Sequence, residues 1–304
     1  MEKRNSDIRV IMITYNGSEF IQNQLNSIAN QKNIESIEIY DDCSEQHFQQ
    51  ELKILSESVH APINLHFNEK NIGVVSNVKN ALSENLDADL IALSDQDDIW
   101  HPEKIQSFKS ELISLTSSAE IPILVYSDMR VIDKENNVIN PSFWSQFGYE
   151  KFEHTLHSLL FGNFVTGAAS AFNPALAKYL ASMPPNIKSY HDHWLAIAAF
   201  TFGKTKRIDK SYNDYRIHGN NQAFYSTRKR SLIDRRLQNV KDILNPELHM
   251  KNQFEIAEAF YDIHKDLMDS DKKDIFDQFL RSRSLNYFKQ KLYRRRLFEE
   301  LRIK

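Results

Sequence analysis

Short apolar runs alternate with helical patterns throughout the first third of the chain. Each run has the length of a strand and is rich in Ile and Leu, and the segments between the runs repeat apolar residues at helical spacing, for instance from Phe48 to Val59. The runs are residues 8–15, 34–40, 63–67 and 89–93. Strands that alternate with helices form a mostly parallel sheet with helices on both faces. The sequence therefore predicts a doubly wound, Rossmann-like α/β fold.

Polar or acidic residues follow each of these predicted strands. Ligands of such sheets bind beyond the carboxyl ends of the strands, so these residues are the first candidates for a site. With 7 glycines in all, the chain has neither a G-x-G-x-x-G after a strand nor a G-x-x-x-x-G-K-[ST], so no glycine-rich loop is available to hold phosphate. The candidates are Thr14, Tyr15, Asn16, Asp41, Asp42, Asn68, Asn71, Asp95, Asp97 and Asp98.

The most acidic strand exit is the segment SDQDDIW, in which no basic residue lies among the carboxylates. Neighbouring carboxylates raise one another's pKa unless a cation lies between them. Mg²⁺ binds one or two carboxylates together with the phosphates of a substrate, which makes a divalent-metal site one interpretation. The other interpretation is that Asp97 and Asp98 cap a helix that begins near Pro102 while Asp95 faces solvent. The residues alone leave both open.

Four segments, in this order and at these distances, resemble the nucleotide-sugar domain of family 2 glycosyltransferases, which have the GT-A fold. The segments are VIMITYNG (10–17), IEIYDDCS (37–44), NIGVVSNVKNAL (71–82) and LIALSDQDDIWHPEKI (90–105). The SDQDDIW form is similar to a bacterial subgroup that builds surface polysaccharides and includes many rhamnosyltransferases. The resemblance covers roughly residues 7 to 222 and implies a glycosyltransferase with a GT-A domain.

The resemblance implies roles for the residues at the strand exits. Asp95 and Asp97 would form the D-x-D pair, in which Asp97 binds Mn²⁺ or Mg²⁺ directly. The chain departs from the family where Cys43 replaces the usual glycine of DDGS and where Lys79 stands in place of an arginine. Asp41 would contact the base or the ribose. The residues implied to bind the nucleotide sugar are Thr14, Tyr15, Asn16, Asp41, Asp42, Asn71, Lys79, Asp95 and Gly167.

The second half of the chain contains candidates for the remaining chemistry. Sugar transfer to a hydroxyl needs a base, and Asp192 in HDHWLA is a carboxylate ahead of an apolar helix. Taken alone, Asp192 is better explained as a helix cap. The family has its base at this point, so the resemblance implies the catalytic role, with His191 in place of the common glutamate. The resemblance also implies that His218 completes the metal or diphosphate site and that Gly167 lies near donor sugar and acceptor.

Composition limits the partners and the location that we expect. A net charge of -3 gives no reason to expect nucleic acid as a partner. A single cysteine excludes an internal disulfide and fits a reducing compartment. The first residues, MEKRNSDIRV, lack the apolar core of a signal peptide, and no run of about 18 apolar residues is present. We therefore predict a cytoplasmic protein.

The composition changes near residue 227, where the chain becomes charged and helical. This change predicts a catalytic domain over 1–226 and a helical C-terminal region over 227–304. The last segment, 281–304, has nine Lys or Arg and two Glu among apolar residues at helical spacing. Such a helix can lie on an anionic membrane, here the inner face of the plasma membrane. Packing on the catalytic domain or pairing in a homodimer would leave the same pattern, and the sequence does not separate the three.

Motifs and resemblance together predict a metal-dependent, inverting glycosyltransferase. The donor is expected to be a nucleoside-diphosphate sugar, such as a dTDP- or UDP-sugar carrying rhamnose. The acceptor is expected to be a hydroxyl of a growing surface polysaccharide or lipid-linked glycan. A non-catalytic nucleotide-sugar-binding or scaffold protein is the alternative, since fold alone does not determine function. Asp97 and Asp192 discriminate between the two, because an inactive relative has little reason to keep both.

Overall fold

The computed structural model describes residues 7–187, 190–218 and 250–303. Within them, nine strands form one sheet with helices on both faces. The strands are Ile8–Thr14 (β1), Ile34–Asp41 (β2), Ile63–Phe67 (β3), Leu90–Ser94 (β4), Ile99–Trp100 (β5), Ile123–Ile132 (β6), Val138–Asn140 (β7), Ser170–Phe172 (β8) and Lys204–Arg216 (β9). The α-helices are Ile21–Ala29 (α1), Gln46–Ser58 (α2), Val74–Glu84 (α3), Lys104–Leu115 (α4), Phe143–Phe147 (α5), Leu156–Phe161 (α6), Pro174–Ala177 (α7), His191–Phe202 (α8), Lys251–His264 (α9), Ser270–Arg281 (α10) and Tyr287–Glu300 (α11).

The sheet has the strand order β3-β2-β1-β4-β8-β6-β9-β5, and β7 pairs with β6. The first four strands of this order are parallel, as the alternation of strands and helices predicts. Beyond them β8 runs antiparallel to both β4 and β6, while β9 is parallel to β6. Thr14 and Asp41 are partners in the β1–β2 register, so the carboxyl ends of these strands are level. The polar residues that follow the parallel strands therefore meet along one edge of the sheet.

Two apolar cores cover the opposite faces of the sheet. Val10 and Met12 contribute to a core shared with α1, α2 and α4. Ile11, between them in β1, contributes to the other core, which it shares with α3, α6 and α8. Successive residues of a strand point to opposite faces, so a strand that is covered on both sides is apolar at every position. Burial on both faces explains why residues 10–13 of β1 and 90–93 of β4 are continuous apolar runs in the sequence.

The three C-terminal helices pack on the sheet domain. Phe254 and Phe260 of α9 and Phe279 of α10 are buried in the same core as α3 and α8. Local sequence signals start two of these helices: the side chains of Asp269 and Asn286 accept hydrogen bonds from backbone amides in the first turns of α10 and α11. Within the described residues 250–303 the chain is therefore helical, as predicted, and α9 and α10 share an apolar core with the sheet domain.

The predicted domain boundary between residues 226 and 227 lies outside the described residues and stays a prediction. Over the three described ranges, no helix combines the length and the apolar character that crossing a bilayer requires.

Three elements differ from the sequence-based expectation. The helix expected near Pro102 begins at Lys104. The apolar and small residues of segment 164–172, FVTGAASAF, favour a strand, but only Ser170–Phe172 form one, because Gly167–Ala169 form a short 3₁₀ turn. The long strand β9 was not predicted, because its first residues are exposed and charged, and only its last five are buried. Each difference affects residues that line the site.

We expect Phe279→Ala to lower the free energy of unfolding of the whole protein by about 3–5 kcal/mol, because it leaves a cavity in a shared core. Phe288→Ala in α11 is the matched control: its side chain is 66% exposed, so the change should be below about 0.5 kcal/mol. Denaturant unfolding, followed by tryptophan fluorescence and by circular dichroism, measures both. All three tryptophans precede residue 200, so they report on the sheet domain. An unchanged fluorescence midpoint in Phe279→Ala would contradict a shared core.

Candidate active site

Asp41, at the end of β2, has protein donors around its carboxylate. Thr14 Oγ1 donates to it at 3.1 Å, the Ser44 amide at 2.9 Å and Gln49 Nε2 at 3.2 Å, and the Ser44 hydroxyl donates as well. Thr14 and Asp41 are both buried. The pair therefore joins the ends of β1 and β2 and supports the turn that follows. The contact of Asp41 with a base or ribose stays a prediction.

Asp42 organises the loop between β3 and α3. Its carboxylate accepts hydrogen bonds from the amides of Ile72 and Gly73 at 2.9 and 2.8 Å and from Asn68 Nδ2 at 3.0 Å. Asn71 lies within this loop and is exposed. The second carboxylate of the DD pair thus holds a loop that faces the same edge of the sheet as Thr14.

The loop after β1 is tied to the acidic turn by Gln96, which lies inside the D-x-D segment. Gln96 Oε1 accepts from the Tyr15 amide at 2.8 Å, and Gln96 Nε2 donates to the Tyr15 carbonyl at 3.1 Å. The Asn16 amide donates to Ser44 Oγ at 2.9 Å, with Asn16 in the left-handed region at φ 48°. Gly17 packs under Gln96, where a Cβ would lie 2.3 Å from Oε1. Sequence reasoning did not identify Gln96, although its position between two predicted ligands was the available signal.

Two of the three predicted metal ligands are in contact. His218 Nε2 lies 2.8 Å from Asp97 Oδ2, although the residues are far apart in the chain. Asp95 keeps solvent-exposed surface, yet it stands among enough protein atoms that desolvation raises its pKa, and the negative charges of Asp97 and Asp192 raise it further. Asp95 is therefore electrostatically linked to both the predicted metal ligand and the predicted base.

Asp98, the third carboxylate of the turn, is fully buried and structural. Its oxygens accept from the Arg216 amide at 3.2 Å and from Asn213 Nδ2 at 3.3 Å. Burial, followed by the charges of Asp97 and Asp95, raises its pKa well above the ordinary value. Asp98 thereby fastens the acidic turn to the end of β9.

The expectation that the carboxylates lack basic neighbours is wrong. Lys104 is fully buried near Asp95 and Asp98, and its ammonium lies 3.8 Å from the centre of the Trp100 ring. The amine donates to the Ala168 carbonyl. Burial lowers the pKa of Lys104 to about 7, while the carboxylates of Asp98 and Asp95 oppose that shift. Arg216 Nε also donates to the Asp97 carbonyl at 2.7 Å. Folding brings these cations from α4 and β9, beyond the acidic segment itself.

The helix-cap interpretation of the acidic turn is also wrong. Glu103 occupies the N-cap position of α4, and no side chain accepts a capping hydrogen bond there. Instead, Asp98 contacts Asn213 of β9, and Asp97 contacts His218, two residues beyond the end of that strand.

Asp192 lies in the first turn of α8 and contacts the turn that contains Gly167. Its carboxylate accepts from the Gly167 amide at 3.3 Å and from the His193 amide at 2.6 Å. Burial raises the pKa of Asp192 to about 6. A Cβ on Gly167 would lie 3.0 Å from His191 Nε2 and 3.8 Å from the Asp192 Cβ, so the absence of a side chain permits this close approach. The geometry brings Gly167 and Asp192 together as a pair.

Lys79 lies in the middle of α3, where its ammonium donates to the Met183 carbonyl at 3.1 Å. Its predicted role near a diphosphate stays a prediction. The other predicted site residues form two groups. Hydrogen bonds of Gln96 to Tyr15 connect these groups, and Asp95 lies near both Asp97 and Asp192. One group surrounds the ends of β1 and β2, and the other lies between the acidic turn and α8.

The sequence of this chain matches the model of glycosyl transferase family 2 over residues 9–173. The chain belongs to glycosyl transferase family 2. The match extends from β1 to the end of β8 and includes the D-x-D turn and Gly167. No curated protein sequence matches the chain.

Solved structures confirm the GT-A fold of this family 2 member. TarS of S. aureus (residues 1-349), in complex with UDP-GlcNAc, is 20% identical, with a TM-score of 0.53 over 85% of this chain and 72% of TarS. The mannosyltransferase PcManGT of Pyrobaculum calidifontis, in complex with GDP-Man and Mn²⁺, is 14% identical, with a TM-score of 0.55 over 89% of this chain and 78% of that one. At these identities the likeness concerns the fold.

Cys43 replaces the usual glycine of the family motif DDGS and adopts the backbone conformation that glycine favours. Its φ is 62°, in the left-handed region, and its sulfur lies 3.5 Å from the Glu69 carbonyl oxygen. A non-glycine residue in this region is strained, because its Cβ crowds the following carbonyl oxygen. The family motif and the observed backbone therefore agree, and Cys43 adds strain to the turn between Asp42 and Ser44.

We expect Cys43→Gly to raise the free energy of unfolding by about 0.5–1 kcal/mol, since relief of left-handed strain exceeds the entropy cost of glycine. Cys43→Ala is the matched control. It removes the thiol but keeps the Cβ, so it should gain nothing. Thermal denaturation under reducing conditions compares the three proteins. Equal stabilisation by glycine and alanine would show that the thiol, and not the backbone, is the source of strain.

Proposed function

We propose that this chain is a metal-dependent, inverting glycosyltransferase that moves a sugar from a nucleoside diphosphate to a hydroxyl of a glycan. The observation that carries the proposal is the convergence of side chains from three distant parts of the chain. Asp97 follows β4 and contacts His218, which follows β9. Asp192 lies in the first turn of α8, and its charge acts on Asp95 of the acidic turn that contains Asp97. The proposed metal-binding residues and the proposed base therefore lie on separate elements of the fold. This separation suits a reaction in which donor and acceptor bind side by side.

The proposed metal side consists of Asp97, Asp95 and His218. Carboxylate and imidazole donors suit Mn²⁺, and carboxylates suit Mg²⁺. No three such side chains within the described ranges converge closely enough to hold an ion by themselves. This spacing fits an ion that takes its other ligands from substrate phosphates. When bound, the ion would neutralise the charge that develops on the departing nucleoside diphosphate.

The proposed donor is a dTDP- or UDP-sugar. TarS has been solved with UDP-GlcNAc and PcManGT with GDP-Man, which supports a nucleotide sugar as the general class of donor. The resemblance of SDQDDIW to rhamnosyltransferases is the support for rhamnose. A reducing, cytoplasmic location fits the single cysteine. The proposed donor-binding residues are Thr14, Tyr15, Asn16, Asp41, Asp42, Asn71, Lys79, Asp95 and Gly167.

The proposed base is Asp192. In an inverting displacement the acceptor hydroxyl attacks the face opposite the leaving diphosphate, so one carboxylate suffices, and it belongs on the acceptor side. Asp192 is on α8, which is a different element from the acidic turn, and the Gly167 amide orients one of its oxygens. The raised pKa of about 6 makes its carboxylate a better proton acceptor than an ordinary aspartate. The proposed acceptor is a hydroxyl of a surface polysaccharide or lipid-linked glycan.

We expect Asp97→Asn to remove the metal-dependent part of donor binding while the protein stays folded. Thermal-shift titrations with UDP, dTDP, GDP and their sugars, each with and without Mn²⁺, measure the effect, since bound ligand raises the melting temperature. Asp89→Asn is the matched control, because Asp89 is exposed just before the other end of β4. Metal-dependent stabilisation that survives in Asp97→Asn would show that the ion binds elsewhere.

For Asp192→Asn we expect turnover to fall by about 10²- to 10⁴-fold with little change in donor affinity. The normal enzyme should also lose activity as the pH falls through about 6, because only the ionised form of Asp192 accepts a proton and its pKa is raised to about 6. Release of nucleoside diphosphate against pH, beside donor binding in the same variant, tests both statements. Near-normal turnover, or a loss of donor binding that matches the loss of rate, would mean that the base is another residue. A non-catalytic binding protein would bind donor and show no turnover in either form.

A further inference from the structure

The inner face of α11 is already occupied by the catalytic domain. The ring of Phe298 lies 4.4 Å from that of Phe152, and Tyr293 lies 5.9 Å from Phe161 at the end of α6. Beyond the helix, the Glu153 amide donates to the Leu301 carbonyl at 2.7 Å. Part of the apolar pattern of the C-terminal segment is therefore used for packing. Only the side chains on the opposite face of α11 remain for a partner.

That opposite face exposes apolar and basic side chains together. Phe288 is 66% exposed and Leu292 48%, and Arg295 follows on the same side of the helix. Lys289, Lys291 and Arg296 flank this line and are exposed. We refer to these six residues, 288, 289, 291, 292, 295 and 296, as the outer ridge. An isolated exposed apolar residue is ordinary, but two that project from a basic helix face form a surface of defined chemistry.

The charge of the outer ridge contrasts with that of the rest of the protein. Residues 281–304 contain nine Lys or Arg and two Glu, although the whole chain has a net charge of -3, so the remainder is acidic. Arg295 pairs with Glu299 at 2.8 Å, whereas Lys289, Lys291 and Arg296 form no ion pair with any residue in the described ranges. Three cations on one face therefore have no carboxylate partner there.

We propose that the outer ridge docks the enzyme on an anionic lipid surface, with Phe288 and Leu292 in the headgroup region and the flanking lysines and arginines against lipid phosphates. Basic residues near an anionic bilayer are attracted to it, and apolar side chains at the interface gain by leaving water. A second copy of the chain fits this face less well. A symmetric dimer would oppose each basic ridge with itself, and like charges across an interface are repulsive.

The position of α11 connects this surface with the acceptor side of the site. The helix packs on α6, which ends at Phe161 and leads directly to Gly167, the residue whose amide binds Asp192. Docking through the outer ridge would thus place the membrane near α6, which precedes the turn that contacts Asp192, the proposed base. This consequence rests on the proposed function, whereas lipid binding itself does not.

The test measures sedimentation of the full-length protein with vesicles of phosphatidylcholine, with and without phosphatidylglycerol. Binding is expected only to the anionic vesicles at about 0.01 M salt and not at about 1 M, where the Debye length falls from about 30 Å to about 3 Å. The triple variant Lys289→Gln, Lys291→Gln, Arg296→Gln should bind about 100-fold more weakly, on the basis of roughly five-fold per charge. Phe288→Ala with Leu292→Ala should also weaken binding and leave the melting temperature unchanged.

Two matched controls make the test specific for the outer ridge. Lys32→Gln, Lys53→Gln, Lys134→Gln removes three exposed charges elsewhere, and Ile54→Ala with Leu267→Ala removes two exposed apolar side chains, 64% and 69% exposed. Both controls should bind vesicles like the unchanged protein. Equal losses in control and ridge variants, or no binding to anionic vesicles at low salt, would overturn the proposal. A ridge variant that converts a dimer to a monomer in light scattering would identify a second copy as the partner instead. Donor binding, measured in parallel, separates failure of this proposal from failure of the proposed function.

Discussion

The repulsion among three carboxylates at the end of β4 is the constraint on which the site depends. Asp95, Asp97 and Asp98 lie within four residues of one another, and the turn that contains them is partly buried. Burial and repulsion disfavour the charged forms of Asp95 and Asp98, so positive charge nearby offsets part of that cost. Lys104 from α4 and Arg216 at the end of β9 supply that charge, and His218 just beyond β9 contacts Asp97.

The same compensating groups connect the two sides of the site. Lys104 stands near Asp95 and Asp98 and donates to the Ala168 carbonyl, next to Gly167, whose amide holds Asp192. The acidic turn and Asp192, the proposed base, are thus linked through the buried Lys104 and the short turn at Gly167. Burying a lysine is costly, and here the hydrogen bond to the Ala168 carbonyl and the negative charges of Asp98 and Asp95 offset part of that cost. Gln96 joins the acidic turn to the loop after β1 in the same way.

Most of the parallel half of the fold was predictable from the sequence, but the site was predictable only in part. The runs that became β1 to β4 were visible because strands covered on both faces are apolar throughout. β9 was not visible, because its first residues are exposed and its last five are buried with polar side chains such as Asn213 and Asp214. That strand contains Arg216 and leads to His218. The acidic segment alone therefore could not show which residues contact Asp97 and Asp98. The assignment of Asp192 depended on family resemblance, since a lone aspartate before an apolar helix has an equally simple structural explanation.

The sequence by itself determined the parallel α/β core and the edge of the sheet at which polar residues gather. It did so because the periodicity of apolar residues and the order of strand exits are local properties. Only the tertiary structure decided which carboxylate is structural, which cation compensates the acidic turn, and which face of α11 remains exposed. These outcomes depend on contacts between residues far apart in the chain. Asp97 and Asp98 are neighbours in sequence with the same side chain, and they differ only because β9 buries one of them and brings His218 to the other.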